Sequence, residues 1–193
     1  MRVQPLPPNT LTGEVRAVHD GIANLIGRSQ GQVRMMDTTG ALLGPFPPML
    51  HYPQFGIPAL SFIRTLDVHA TLDKRVREVA ILTVAAAFGA RFILYAHEIM
   101  ADAFGLSPDI VASLAAGNYP YGLNEQEAIA HNIARVLVAG HIVPDSTYKR
   151  AAQLLGQDAV AELIFLIGSY CLIAITLNGF DVPAPDLGMT APD

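Results

Sequence analysis

The sequence predicts an all-α helical bundle, and three observations carry that prediction. From about residue 59 onward Val, Ile and Leu recur at the spacing of helix faces. Single Gly or Pro residues separate these runs, leaving connections short enough for antiparallel neighbours. No stretch alternates apolar and polar residues as a half-buried strand would. The length of 193 residues suits one sizeable domain rather than two.

Residues 1–60 carry most of the punctuation, including Pro5, Pro7, Pro8, Gly21, Gly27, Gly40, Gly44, Pro47, Pro48, Pro53 and Pro58, so helix there is expected to be short and interrupted. The first long helix is expected after Thr71 or Asp73, running through Val76, Glu78, Val79, Leu82 and Ala86 to a stop near Gly89. A second follows through His97 to Gly105. Ser107-Pro108-Asp109 reads as an N-cap, a proline at the first helical position and an acid against the positive helix end, with Gly117 closing that short helix. Asn124-Glu125-Gln126-Glu127 is a capping-box variant that opens a helix to about Gly140. Asp145 is expected to cap the next, ending near Gly156, and Asp158 to open the last.

That last helix is the most apolar. From Leu163 to Phe180 no residue is charged, which is long enough to raise a membrane span. Its flanks, Glu162 and Asp181, supply no Lys or Arg anchor, and Gly168, Ser169, Tyr170, Thr176, Asn178 and Gly179 interrupt it. The expectation is a helix buried on all faces, at the centre of the subunit or in an oligomer interface.

Composition narrows the function classes. Twelve Lys and Arg against seventeen Asp and Glu give a net charge of −5 with no basic block, arguing against nucleic acid or an anionic membrane as partner. Charged residues are only 15% and apolar ones 51%, more apolar side chain than one small domain hides, so an oligomer is expected. The single Cys171 excludes an intrachain disulfide, a Cys-x-x-Cys pair and a cysteine zinc knuckle. The N-terminus lacks an apolar signal region, which points to the cytoplasm.

His97-Glu98-Ile99-Met100-Ala101 begins like a zinc helix, but Ala101 stands where the second imidazole must be. The six histidines show no paired ligand spacing, and no phosphate loop, nucleophile elbow or dinucleotide fingerprint appears. What remains is Glu78 and His97 on two helices folded back at Gly89-Ala90. Glu78 lies about eleven residues before that turn and His97 about seven after it, an axial offset of only about 6 Å at roughly 1.5 Å per residue. A carboxylate beside an imidazole is the ordinary general acid–base arrangement. Two plainer arrangements compete with it: Glu78 paired at the surface with Lys74 or Arg75, and His97 donating to a backbone carbonyl in the core. Candidate substrate contacts are His51 on a proline-rich loop, Arg75, Arg77 and Tyr95, with Arg91 a further cation. Tyr170 and Cys171 read as core, with a polar handle inside an apolar helix.

These residues resemble the carboxymuconolactone decarboxylase family, which also contains the alkylhydroperoxidase D-type proteins. The resemblance rests on Gly44-Pro45-Phe46 with Met49-Leu50 and Pro53, on Arg77-Glu78 with Ile81-Leu82, on His97 with Ala101 and Gly105-Leu106-Ser107, and on Tyr170 with Asn178, Phe180, Val182-Pro183 and Pro185. It divides the chain into an N-terminal extension (1–43), a helical domain (44–183) and a tail (184–193). It implies an all-helical homotrimer or homohexamer with sites near subunit interfaces, no organic cofactor or metal, and the family's glutamate and histidine at Glu78 and His97. Peroxidase members use a Cys-x-x-Cys-x-x-x-His arrangement, and here Ala90 and Ile93 occupy the thiol positions, so thiol peroxidase activity is not expected. Decarboxylase-like members often read Tyr-Glu-Trp where this chain has Phe92-Ile93-Leu94, a more apolar setting. The expected function is a cofactor-independent lyase or isomerase acting on a small, partly apolar carboxylate or lactone. A hydrolase or rearrangement catalyst using the same pair, and a non-catalytic metabolite-binding oligomer, are the alternatives.

Overall fold

A computed structural model describes residues 1–28 and 33–185. The described residues form nine α-helices: α1 (Gly13–Arg28), α2 (Phe46–His51), α3 (Pro53–Val68), α4 (Lys74–Phe88), α5 (Arg91–Ala103), α6 (Pro108–Ala115), α7 (Glu125–Val138), α8 (Asp145–Leu155) and α9 (Gln157–Gly179). A 3-10 turn at Pro8–Thr10 precedes α1, and Met36 and Leu42 form an isolated antiparallel bridge.

Local chemistry sets several boundaries where expected. Asp73 caps α4 by accepting from the Arg75 amide at 2.8 Å, and Gly89 ends it at φ 60°, a left-handed conformation that suits glycine. Ser107 caps α6 ahead of Pro108. Asn124 and Glu127 exchange two side-chain-to-backbone hydrogen bonds of 2.9 Å at the start of α7, a reciprocal capping box. Two expected caps are displaced. Pro144, not Asp145, caps α8, and Gly156 precedes α9, so Asp145 and Asp158 lie in the first turns, where their charge favours the helix ends without capping them.

The expectation of short, interrupted helix before residue 60 is overturned by α1 and α3, each 16 residues long. Pro53 sits at the start of α3, where a missing N–H costs nothing, and the helix then continues through Pro58. Gly56 serves contact rather than interruption, because a Cβ there would collide with the Met49 carbonyl oxygen.

The centre of the bundle is α4, which packs against α5, α6, α7 and α9. Its buried residues face three ways. Ile81 and Ala85 meet Phe92, Ile93, Leu166 and Ile173, while Val76, Ala80 and Val84 meet Ile129, Ile133 and Leu163. Val79 and Leu82 meet Ala101, Leu106, Ile110 and Leu114. Within the single chain the last helix is buried on one side only, so of its two expected settings the centre of the subunit does not apply. Less than half of its most apolar window is buried (44%), although its length and apolarity alone would let it cross a membrane. Phe165, Leu172 and Ile175 form an exposed stripe along it, extended by Phe62 of α3, whose ring meets Phe165 edge-on.

The N-terminal residues lie over the end of α9. The Arg2 amide donates to the Phe180 carbonyl at 2.8 Å and its guanidinium to Gly179 at 2.7 Å, while Val182 is buried after donating to Leu177. Val182 thus anchors the chain beyond α9 to the bundle, and of the tail (184–193) residues 186–193 fall outside the described residues.

Candidate active site

Glu78 occupies a position on α4 that the fold encloses, and it is 3% exposed. The Gly89-Ala90 turn reverses the chain, Ala90 donating its amide to Ala85, and sends α5 back along α4. His97 then arrives beside Glu78, with Nδ1 2.7 Å from Oε2 and the histidine 7% exposed. Glu78 is thus neither an exposed partner of Lys74 nor of Arg75, and His97 bonds a carboxylate rather than a backbone carbonyl. With a carboxylate as acceptor, Nδ1 carries the proton, and in the neutral ring the lone pair sits on Nε2. Nε2 of His97 and Oε1 of Glu78 have no protein partner, yet neither is sealed from solvent.

Tyr170 of α9 completes the enclosure. Its ring meets the His97 ring edge-to-face at 5.1 Å and 84°. Burial, reinforced by the charges of Glu78 and Asp67, pushes its hydroxyl far above the ordinary phenol range, so it stays protonated and able to donate. Its sequence signal was slight: a phenol within the long uncharged run of α9.

The arginines take other partners. Arg77 donates to Glu162 at 2.8 Å and to Asp67 at 2.6 Å and is largely buried. Glu162 also accepts from the amide and hydroxyl of Thr71 and from the Leu72 amide, clamping the α3–α4 connection to α9. Burial raises the Glu162 carboxyl, but these hydrogen bonds and Arg77 outweigh it and hold it below the usual carboxylate range. Arg75 donates at 2.8 Å to the fully buried Glu127, joining α4 to α7, and Arg91 pairs with Asp181 at the tail. Glu127, Glu162 and Asp181 lie 52, 85 and 90 residues from their arginines, and Asp67 is on the preceding helix, which is why spacing along one helix did not show these commitments.

His51 and Tyr95 also fall outside the pair's surroundings. His51 bonds the Gln4 carbonyl at 2.9 Å through Nε2. Its neighbour Tyr52 packs on Phe180, ten residues and about 15 Å along α9 from Tyr170. The Tyr95 hydroxyl accepts from the Arg34 amide at 2.9 Å, two residues round α5 from His97 and so on the opposite side of that helix. Among the described residues, hollows of about 240 and 290 Å³ open away from Glu78 and His97, which line neither of them. Among the described residues no three His, Cys, Asp or Glu side chains gather in a way that could hold a metal ion.

No family model matches the chain, and no curated protein does. Solved structures do. An uncharacterised peroxidase-related protein from Ralstonia eutropha, described as an alkylhydroperoxidase AhpD core, superposes with a TM-score of 0.76 at 14% identity, over 96% of this chain and 92% of that one. A protein of unknown function from Agrobacterium tumefaciens, suggested to be the antioxidant defence protein AhpD, gives 0.64 at 14% identity, over 72% and 95%. A cysteine-to-alanine variant of the debrominase Bmp8, in complex with 2,3,4-tribromopyrrole, gives 0.69 at 13% identity, over 94% and 90%. The continuous all-helical match across nearly the whole chain gives this protein the AhpD-like helical fold.

Proposed function

We propose that the protein is a cofactor-independent lyase or isomerase for a small, partly apolar carboxylate or lactone, with Glu78 and His97 as its acid–base pair. The buried 2.7 Å bond between them, with Nε2 left free, is the observation that supports this reading. Glu78 orients the imidazole and balances the charge it gains; Nε2 moves the proton. In decarboxylation the carbon–carboxylate bond breaks, CO₂ leaves, and the electron pair passes into an adjacent carbonyl as an enolate. One proton from an imidazolium Nε2 then returns to carbon. In isomerisation Nε2 takes a proton from one carbon and returns it at another. Because Arg75 and Arg77 are committed to protein carboxylates, we assign the donor to the developing enolate oxygen to Tyr170.

Thiol peroxidase chemistry is disfavoured on the same chain. Ala90 and Ile93 hold the positions of the paired thiols, and Cys171, alone on α9, has its thiol pushed up by burial. We also propose that the chain self-associates through the exposed Phe165, Leu172 and Ile175 stripe, the homotrimer or homohexamer being what the family resemblance implies.

The test is product analysis in deuterated, ¹⁸O-labelled water with a panel of β-keto acids and enol lactones. Deuterium at carbon without ¹⁸O supports a lyase or isomerase, and ¹⁸O incorporation indicates the hydrolase alternative. Stoichiometric binding without product favours a binding protein. Full activity in both Glu78→Gln and His97→Ala would remove the pair from the mechanism.

A further inference from the structure

A second constellation lies on the face of α4 turned toward α6 and α7. There a half-open hollow of about 240 Å³ has one apolar side, formed by Ala86, Ala87, Leu114 and Val138, with Ala87 at its exposed rim. Thr83, His131 and Arg135 add polar groups, and no carboxylate lines it. The Thr83 hydroxyl already donates to the Val79 carbonyl, which leaves His131 and Arg135 as the available donors.

His131 is 2% exposed, with the Tyr119 ring set edge-on against it at 5.0 Å and 90°. Its Nδ1 is sealed from solvent and has no hydrogen-bond partner. An orphaned N–H is the rarer and costlier defect, so Nδ1 keeps the lone pair and the proton resides on Nε2, the nitrogen that is not sealed. Burial first, and then the charge of Arg135, hold the imidazole below its usual range and neutral, with the Asn132 side chain opposing more weakly. Arg135 lies exposed at the mouth of the hollow and has no ion-pair partner among the described residues, so its guanidinium is free to turn toward an anion seated there. The cavity therefore presents a neutral N–H and an unpaired guanidinium beside an apolar wall, with no acid to compete for either.

We infer that this cavity binds a small organic monocarboxylate, its carboxylate held by Arg135 and His131 Nε2 and its hydrocarbon body against Ala86, Ala87, Leu114 and Val138. The complementarity is that of a cation and a neutral donor for an anion, with apolar walls for a short aliphatic or single-ring acid. The site is separate from the Glu78–His97 pair and does not depend on that pair being catalytic.

The experiment is titration of the isotopically labelled full chain with benzoate, followed by ¹⁵N–¹H correlation spectra and calorimetry. Saturable binding of one benzoate per chain is expected, with shifts centred on Ala86, Ala87 and Val138. Arg135→Gln should weaken it by at least about tenfold, as loss of a charge-assisted hydrogen bond does, while its spectrum shows the fold intact. Glu78→Gln should leave benzoate affinity unchanged. Three results would each overturn the inference: no saturable binding of benzoate or hexanoate, equal binding of benzyl alcohol and benzoate, or shifts centred on His97 and Tyr170 that Glu78→Gln abolishes and Arg135→Gln does not.

Discussion

Glu78 and His97 stand nineteen residues apart in the chain and 2.7 Å apart in space, each on a different helix and each almost closed off from water. That enclosure makes the pair sensitive to small changes in chemistry. Glu78→Gln keeps the shape but removes the charge that stabilises an imidazolium, and the expected loss of turnover is about 10²-fold or more. Steady-state rates on a substrate found by the labelled-water panel measure it, and an unchanged rate would reassign the pair to structure.

Glu162 is the keystone of the α3–α4 connection, receiving Arg77, both groups of Thr71 and the Leu72 amide. Glu162→Ala leaves these donors without their acceptor and should lower stability by about 2–3 kcal/mol, read from urea unfolding midpoints.

Two pH windows follow from the shifted groups. Both His131 and Glu162 bind protons more weakly when folded than when unfolded. Protonation therefore favours unfolding in each case, so stability rises with pH across each window. The His131 contribution should be complete above its ordinary value of 6.5 and fade as pH falls below it. That of Glu162 should be complete above 4.5 and fade below. Urea unfolding across this range should show two acid limbs, the upper reduced in Arg135→Gln and the lower in Glu162→Gln.

Gly56 has no room for a side chain, because the obstructing atoms belong to the Met49 backbone and cannot rotate away. Gly56→Ala should cost about 1–3 kcal/mol by forcing α2 and α3 apart. Thermal unfolding of the purified variant is the check; a wild-type midpoint would show that the two helices separate freely.

The outer stripe of α9 gives a prediction about assembly. Leu172→Glu places a charge on a face that is already exposed in the single chain, so folding should survive while self-association fails. Light scattering coupled to size exclusion would show the variant as a monomer with unchanged helical circular dichroism.

Helix ends written in nearest-neighbour chemistry were legible in the sequence: Asp73 and Gly89, Ser107-Pro108, and Asn124 with Glu127 all act within a turn of where they stand. The Glu78–His97 contact was legible for a related reason, since one short turn connects their helices. The commitments of Arg75 and Arg77 were not, because Glu127 and Glu162 are brought to them only by the packing of α7 and α9 around α4. Tyr170 was obscured by the apolar run that carries it, and the lengths of α1 and α3 by glycines and prolines that a supported helix tolerates.

The Gly89-Ala90 reversal also couples the length of the chain to its chemistry. Each residue added to or removed from that link would turn α5 by about 100° against α4 and carry His97 away from Glu78, with every side chain of the pair intact. The spacing between these two residues is therefore as much a part of the site as their identities, and an insertion at this turn would silence it as surely as a substitution.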